Sequence, residues 1–177
     1  MNIPPWNDAQ APRDPALVEA ILKRRGGTFL TLDRALLWSE PLARGWNAHL
    51  GAVRREFSLD GRVREIAICT VARLTGAEYE FSHHWPVYVK AGGSDALRAR
   101  LADPVAAAGD PAFSADERLA MRYAVAMTRD VKVDPALTRE VGDRYPTQQL
   151  VELTATIATY NMVARFLVAM RIDEHDV

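Results

Sequence analysis

The sequence predicts an all-α protein, and three observations carry that expectation. Apolar residues recur at three- and four-residue intervals along most of the chain, the period of a one-faced helix. Asp14-Pro15 and Asp134-Pro135 each set an N-cap residue before a proline at the first helical position. Ser114 with Glu117 forms a capping box. Thr28-Phe-Leu-Thr-Leu32 is the one run whose weak alternation would suit a strand, and a single strand has nothing to pair with.

Residues 1–13 hold three of the ten prolines and show no period, so they read as an extended arm with Trp6 as its anchor. Residues 14–177 read as a single all-α domain. Its expected helices are 15–25, 33–56 with a break near Pro41, 60–75, 77–91, 94–102, 115–129, 135–143 and 147–170. Helix 60–75 contains Ile66-Ala-Ile-Cys-Thr-Val-Ala72, apolar nearly all round, as a centrally buried helix requires. Helix 147–170, with Leu150, Leu153, Ile157, Ala164 and Phe166, is expected beside it.

Composition narrows the function. With 177 residues and 49% apolar content the chain can build a core without disulfides or a structural metal. The 22 Lys and Arg nearly balance 23 Asp and Glu and form no block, so neither nucleic acid nor an anionic membrane is an expected partner. No stretch reads as the ~18 apolar residues of a membrane span, and no secretory start is visible. Cys69 is the only cysteine, so one chain supplies neither a disulfide nor a two-thiol redox centre, and a reducing cytoplasm is the expected location.

Ionisable residues concentrate in two of the expected helices. Glu65 opens helix 60–75 with Ile68, Cys69 and Ala72 on its face. It is either a first-turn carboxylate that reaches solvent or an arginine such as Arg62, or a desolvated acid or base with a raised pKa. Tyr79-Glu-Phe-Ser-His-His84 is the densest cluster. Glu80 and His84 share a face with Ala77, Val87 and Ala91, where a carboxylate can orient an imidazole for proton transfer, although the same spacing also makes ordinary surface pairs. Pro86 is expected to bend that helix beside the histidines. Glu80 with His83 also has the Glu-x-x-His spacing of bundle metal sites, but no second such helix completes a set, so no metal centre is expected. Cys69 reads as core, His49 lies in an amphipathic helix and His175 in the C-terminal tail, and Asn161 with Arg165 reads as a structural pair.

Residues 64–92 resemble the core of the carboxymuconolactone decarboxylase and alkylhydroperoxidase D-like superfamily. Glu65, His84 and Gly92 fall where that family has its glutamate, histidine and glycine, while Ala77 and Glu80 stand where peroxidase members have Cys-x-x-Cys. The Glu78-Tyr-Glu-Phe-x-x-His84 run is similar instead to a cysteine-free branch. The resemblance extends more loosely over residues 33–170. It implies an alkylhydroperoxidase D-like bundle with a central antiparallel helix pair, and homo-oligomers, commonly trimers or hexamers. It further implies lyase activity without metal or organic cofactor on a carboxylated unsaturated lactone of aromatic catabolism.

The leading expectation is therefore a cofactor-independent lyase or isomerase acting on a small carboxylated, aromatic-derived compound. In it Glu80 orients His84, His84 carries the proton, Glu65 holds the proton inventory of a dry site and His83 contacts substrate. Two alternatives stand beside it: a catalytically silent helical oligomer for ligand binding or assembly, and peroxide or thiol chemistry at Cys69.

Overall fold

The computed structural model describes Ile3, Pro4, Trp6, Asn7 and residues 14–172. Every regular element among them is helical, and they fall into two compact units, residues 1–56 with 169–177 and residues 57–168. His175 and most of the expected arm lie outside the described residues.

The first unit holds α1 (Pro15–Arg25), α2 (Thr31–Leu36) and α3 (Glu40–Arg55). Asp14 caps α1 by accepting from the Leu17 amide at 3.1 Å, and Gly26, left-handed at φ 78°, ends it. The expected helix 33–56 is two helices, with Pro41 in the first turn of α3, where its missing N–H is harmless. Asp33, 1% exposed, ties α1 to α2: it accepts from the Leu30 amide at 3.0 Å, from Arg24 Nη2 at 3.2 Å and from Arg25 Nη2 at 3.0 Å. Trp6 is buried with its ring edge-on to Phe29, and its carbonyl accepts from Arg34 Nη1 at 2.9 Å.

The second unit holds α4 (Gly61–Thr75), α5 (Glu78–Lys90), two 3-10 turns (Asp95–Leu97 and Arg100–Ala102), α6 (Pro104–Ala107), α7 (Ala115–Arg129) and α8 (Pro135–Arg144). It also holds most of α9 (Thr147–Met170). Segment 94–102, expected as a helix, makes only single turns because neither turn has a capping side chain and Asp103-Pro104 restarts the chain as α6.

Asp60 caps α4 by accepting from the amides of Arg62 and Val63, and Gly76, at φ 70°, turns the chain back so that α5 runs antiparallel to α4. The most closely packed neighbours of α4 are α5 and α7. Ile66, Ala67, Ile68, Cys69, Val71 and Ala72 are wholly buried, as the all-round apolar pattern requires. Burying an isoleucine contributes about 1.5–3 kcal/mol, so this helix is the mechanical centre of its unit.

At the far end of α5, Gly92 adopts φ 98° and Gly93 packs flat on the Tyr88 ring. Tyr88 in turn donates to Glu117 of α7 at 2.7 Å. α9 reaches the hairpin and α7 through side chains, with the Tyr160 ring edge-on to His84 and Thr154 bonded to Tyr123 at 3.1 Å. Its Glu152 accepts from Ser58 Oγ and the Leu59 amide, both at 2.9 Å, and so fixes the approach to α4. Contrary to the sequence expectation, α9 is long and apolar enough to cross a membrane by length and composition. The polar side chains it buries, Glu152, Thr156 and Thr159, are those of a helix packed on protein.

Candidate functional site

The hairpin of α4 and α5 brings together two buried ionisable side chains that lie 19 residues apart in sequence. Glu65 is 1% exposed and His84 5%, and His84 Nδ1 lies 2.6 Å from Glu65 Oε2. With Glu65 ionised, Nδ1 carries the proton of that bond. The other carboxylate oxygen accepts from Arg64 Nε at 3.0 Å. Arginine, carboxylate and imidazole thus form one connected row. Tyr160 packs its ring edge-on against the imidazole, with centroids 4.9 Å apart.

The electrostatics differ from the expectation of a raised Glu65 pKa. Burial alone pushes this carboxyl up, but the hydrogen bond and charge of His84 and the Arg64 guanidinium outweigh it and hold Glu65 below the usual carboxylate range. Glu65 is therefore an ionised partner for His84, and the arginine that meets it is Arg64; Arg62 lies instead 3.6 Å from Glu117.

No protein-family model matches the chain. It is 36% identical over 121 residues to the uncharacterized protein YnjA of Escherichia coli (strain K12), an alignment covering 67% of this chain and 64% of that relative. The crystal structure of an uncharacterized peroxidase-related protein from Silicibacter sp. TM1040 superposes with a TM-score of 0.77, covering 96% of this chain and 91% of that one at 17% identity. The fold is alkylhydroperoxidase-like.

Within that fold, the remaining ionisable residues divide into two groups. Glu80 is buried, 3% exposed, one helical turn before His84. Cys69, one turn after Glu65 on α4, is wholly buried. Burial and the charges of Glu65 and Glu80 push its thiol well above the usual cysteine value, as suits a core side chain. His83, by contrast, is exposed: its Nδ1 bonds the Tyr79 carbonyl at 2.7 Å and its ring lies against the Tyr79 ring. The structure brings Glu65 and His84 together and leaves His83 on another face.

α5 continues through Pro86, whose ring lies on the exposed side. Asn161 and Arg165 bond to each other, and Asn161 also donates to Thr128 at 3.0 Å, so this pair is structural. Among the described residues no group of three or more His, Cys, Asp or Glu is placed to hold a metal ion. A surface groove of about 640 Å³ between α7 and α8 lies apart from these residues, and its arginines are occupied, Arg122 by Glu140 and Arg144 by Asp116.

Sequence reasoning missed Arg64 and the contribution of α9. Adjacent helix positions diverge by about 100°, so spacing rules do not pair residues 64 and 65; the length and the Nε donor of arginine make the pair possible. Tyr160 comes from a distant helix, which the resemblance covers only loosely, within residues 33–170.

Proposed function

We propose that this protein is a cofactor-independent acid–base enzyme of the carboxymuconolactone decarboxylase type, a lyase or isomerase acting on a small carboxylated, aromatic-derived compound. The observation that carries this reading is the 2.6 Å bond between Glu65 and His84, both buried in the central hairpin. Glu65, ionised and steadied by Arg64, orients the imidazole and favours its protonated form, the role first expected of Glu80. His84 Nε2 delivers a proton to the carbanion left by loss of carbon dioxide, or moves it between carbons in an isomerisation. Glu80, buried one helical turn before His84, belongs to the same candidate site. His83, exposed and turned onto Tyr79, has no part in it. Peroxide chemistry at Cys69 is disfavoured, because the sole cysteine has no second thiol in the chain and its thiolate is opposed by burial and two carboxylates.

The test is a screen of carboxylated lactones and related unsaturated acids in deuterium oxide, reading carbon dioxide release and deuterium uptake into product. His84→Ala should lower kcat by roughly 10²–10⁴ with the helical circular dichroism unchanged. Full turnover in that variant would refute the assignment. We further propose that the protein self-associates, so that light scattering returns a mass above the 19.7 kDa of one chain.

A further inference from the structure

We propose that Arg64 is the substrate anchor of this site, holding the carboxylate of a small organic acid on its two terminal nitrogens while its Nε holds Glu65. The inference rests on the reading of Glu65 and His84 as a proton-transfer pair and names the residue that selects what is brought to it. Arg64 is 15% exposed, and among the described residues its one hydrogen bond runs from Nε to Glu65 Oε1 at 3.0 Å. A Cβ built on Gly61 would stand 3.8 Å from Nη2, so the guanidinium lies back over the first turn of α4, where a glycine leaves the space open.

Other arginines of this unit use their terminal nitrogens. Arg73 grips Glu78 at 2.8 Å, Arg122 grips Glu140, and Arg144 grips Asp116 at 2.7 Å. Arg64 combines a largely buried stem with an outer edge that meets no carboxylate among the described residues, and its Nε is bonded to the carboxylate that meets His84. A guanidinium fork matches a planar carboxylate in two parallel hydrogen bonds, and the Glu65 contact fixes the fork before the ligand arrives.

The test uses the full-length protein labelled with ¹⁵N, with sodium benzoate as probe, benzamide as its neutral isostere, and inorganic phosphate and sodium chloride as ionic controls. Benzoate should shift the Arg64 Nε–Hε signal saturably, and benzamide and chloride should not. Arg64→Gln should weaken benzoate binding by about tenfold or more while the His84 ring signals keep the signature of the Glu65 bond. If Arg64→Gln unfolds, Arg64→Lys, which keeps the charge and loses the fork, should show the same direction of loss. Benzoate binding that survives both substitutions, a benzamide response equal to that of benzoate, no saturable benzoate response, or a response to phosphate alone would each overturn the anchor. His84→Ala separates the two readings: turnover that survives it removes the acid–base assignment, while benzoate binding that survives it leaves the anchor standing.

Discussion

Glu65→Gln separates the chemical role of this carboxylate from its structural one. The amide keeps the shape but offers one acceptor oxygen where the carboxylate offers two, so it can accept from His84 Nδ1 or from Arg64 Nε, now at 2.6 and 3.0 Å, but not from both. A hydrogen bond to a charged group contributes about 1.5–3 kcal/mol, so the loss of one of the two costs about that much. Burial of the charge is the largest single influence on Glu65 and acts against the ionised form, and removing it returns part of that loss. The net cost should be about 0–2 kcal/mol, while kcat falls by roughly 10²–10⁴.

The pH dependence carries the sign. Because the folded protein holds Glu65 below the usual carboxylate range, its stabilising contribution is fully present above the unfolded-state value and is lost as pH falls through the folded one. Urea denaturation followed by circular dichroism from neutral pH into the acid range should therefore show a shallower acid loss in Glu65→Gln than in the parent. An acid limb parallel to the parent, or a destabilisation above about 4 kcal/mol at neutral pH, would show that the carboxylate is not the ionised, compensated partner described.

Three further outcomes follow from the packing. Cys69→Ala should cost at most ~1–2 kcal/mol and leave turnover intact, and the native thiol should react with iodoacetamide only as fast as the protein unfolds, read by mass spectrometry. Gly93→Ala would set a Cβ 2.3 Å from the ring of Tyr88, which is fully buried and bonded to Glu117, and should cost about 1–3 kcal/mol of overpacking, with a lowered melting temperature. Glu152→Ala removes the acceptor of Ser58 Oγ and the buried Leu59 amide and should cost about 1–3 kcal/mol, with faster hydrogen exchange at the start of α4.

Much of the second unit was legible because its signals are local. The Ser114 capping box, the Asp134-Pro135 start and the apolar run 66–72 each specify helix structure within a few residues, and α7, α8 and α4 follow them closely. Boundaries failed where punctuation was ambiguous. Pro41 reads as a break within a helix and is in fact the first turn of a new one, and segment 94–102 has helical composition without a cap to hold it.

In the candidate site, the residue types and the hairpin were readable, but the partnership was not. Glu80 stands at helical spacing from His84, whereas Glu65 meets His84 only after the turn at Gly76 folds one helix onto the other. Spacing along one helix ranks neighbours on that helix and is silent about the helix across from it. The same limit placed His83 and His84 together: two adjacent histidines point about 100° apart, and only His84 is buried.

The Glu152 bonds to Ser58 and Leu59 also set an order of assembly. The Glu65–His84 contact closes a loop of 19 residues, whereas the Leu59–Glu152 contact closes one of 93. During synthesis the α4–α5 hairpin can therefore form and bring its acid and base together well before α9 leaves the ribosome. The segment that starts α4 gains its permanent acceptor only when α9 docks. Chain closure over long separations is the slow step of folding, so the finished position of α4 depends on a segment made 93 residues later.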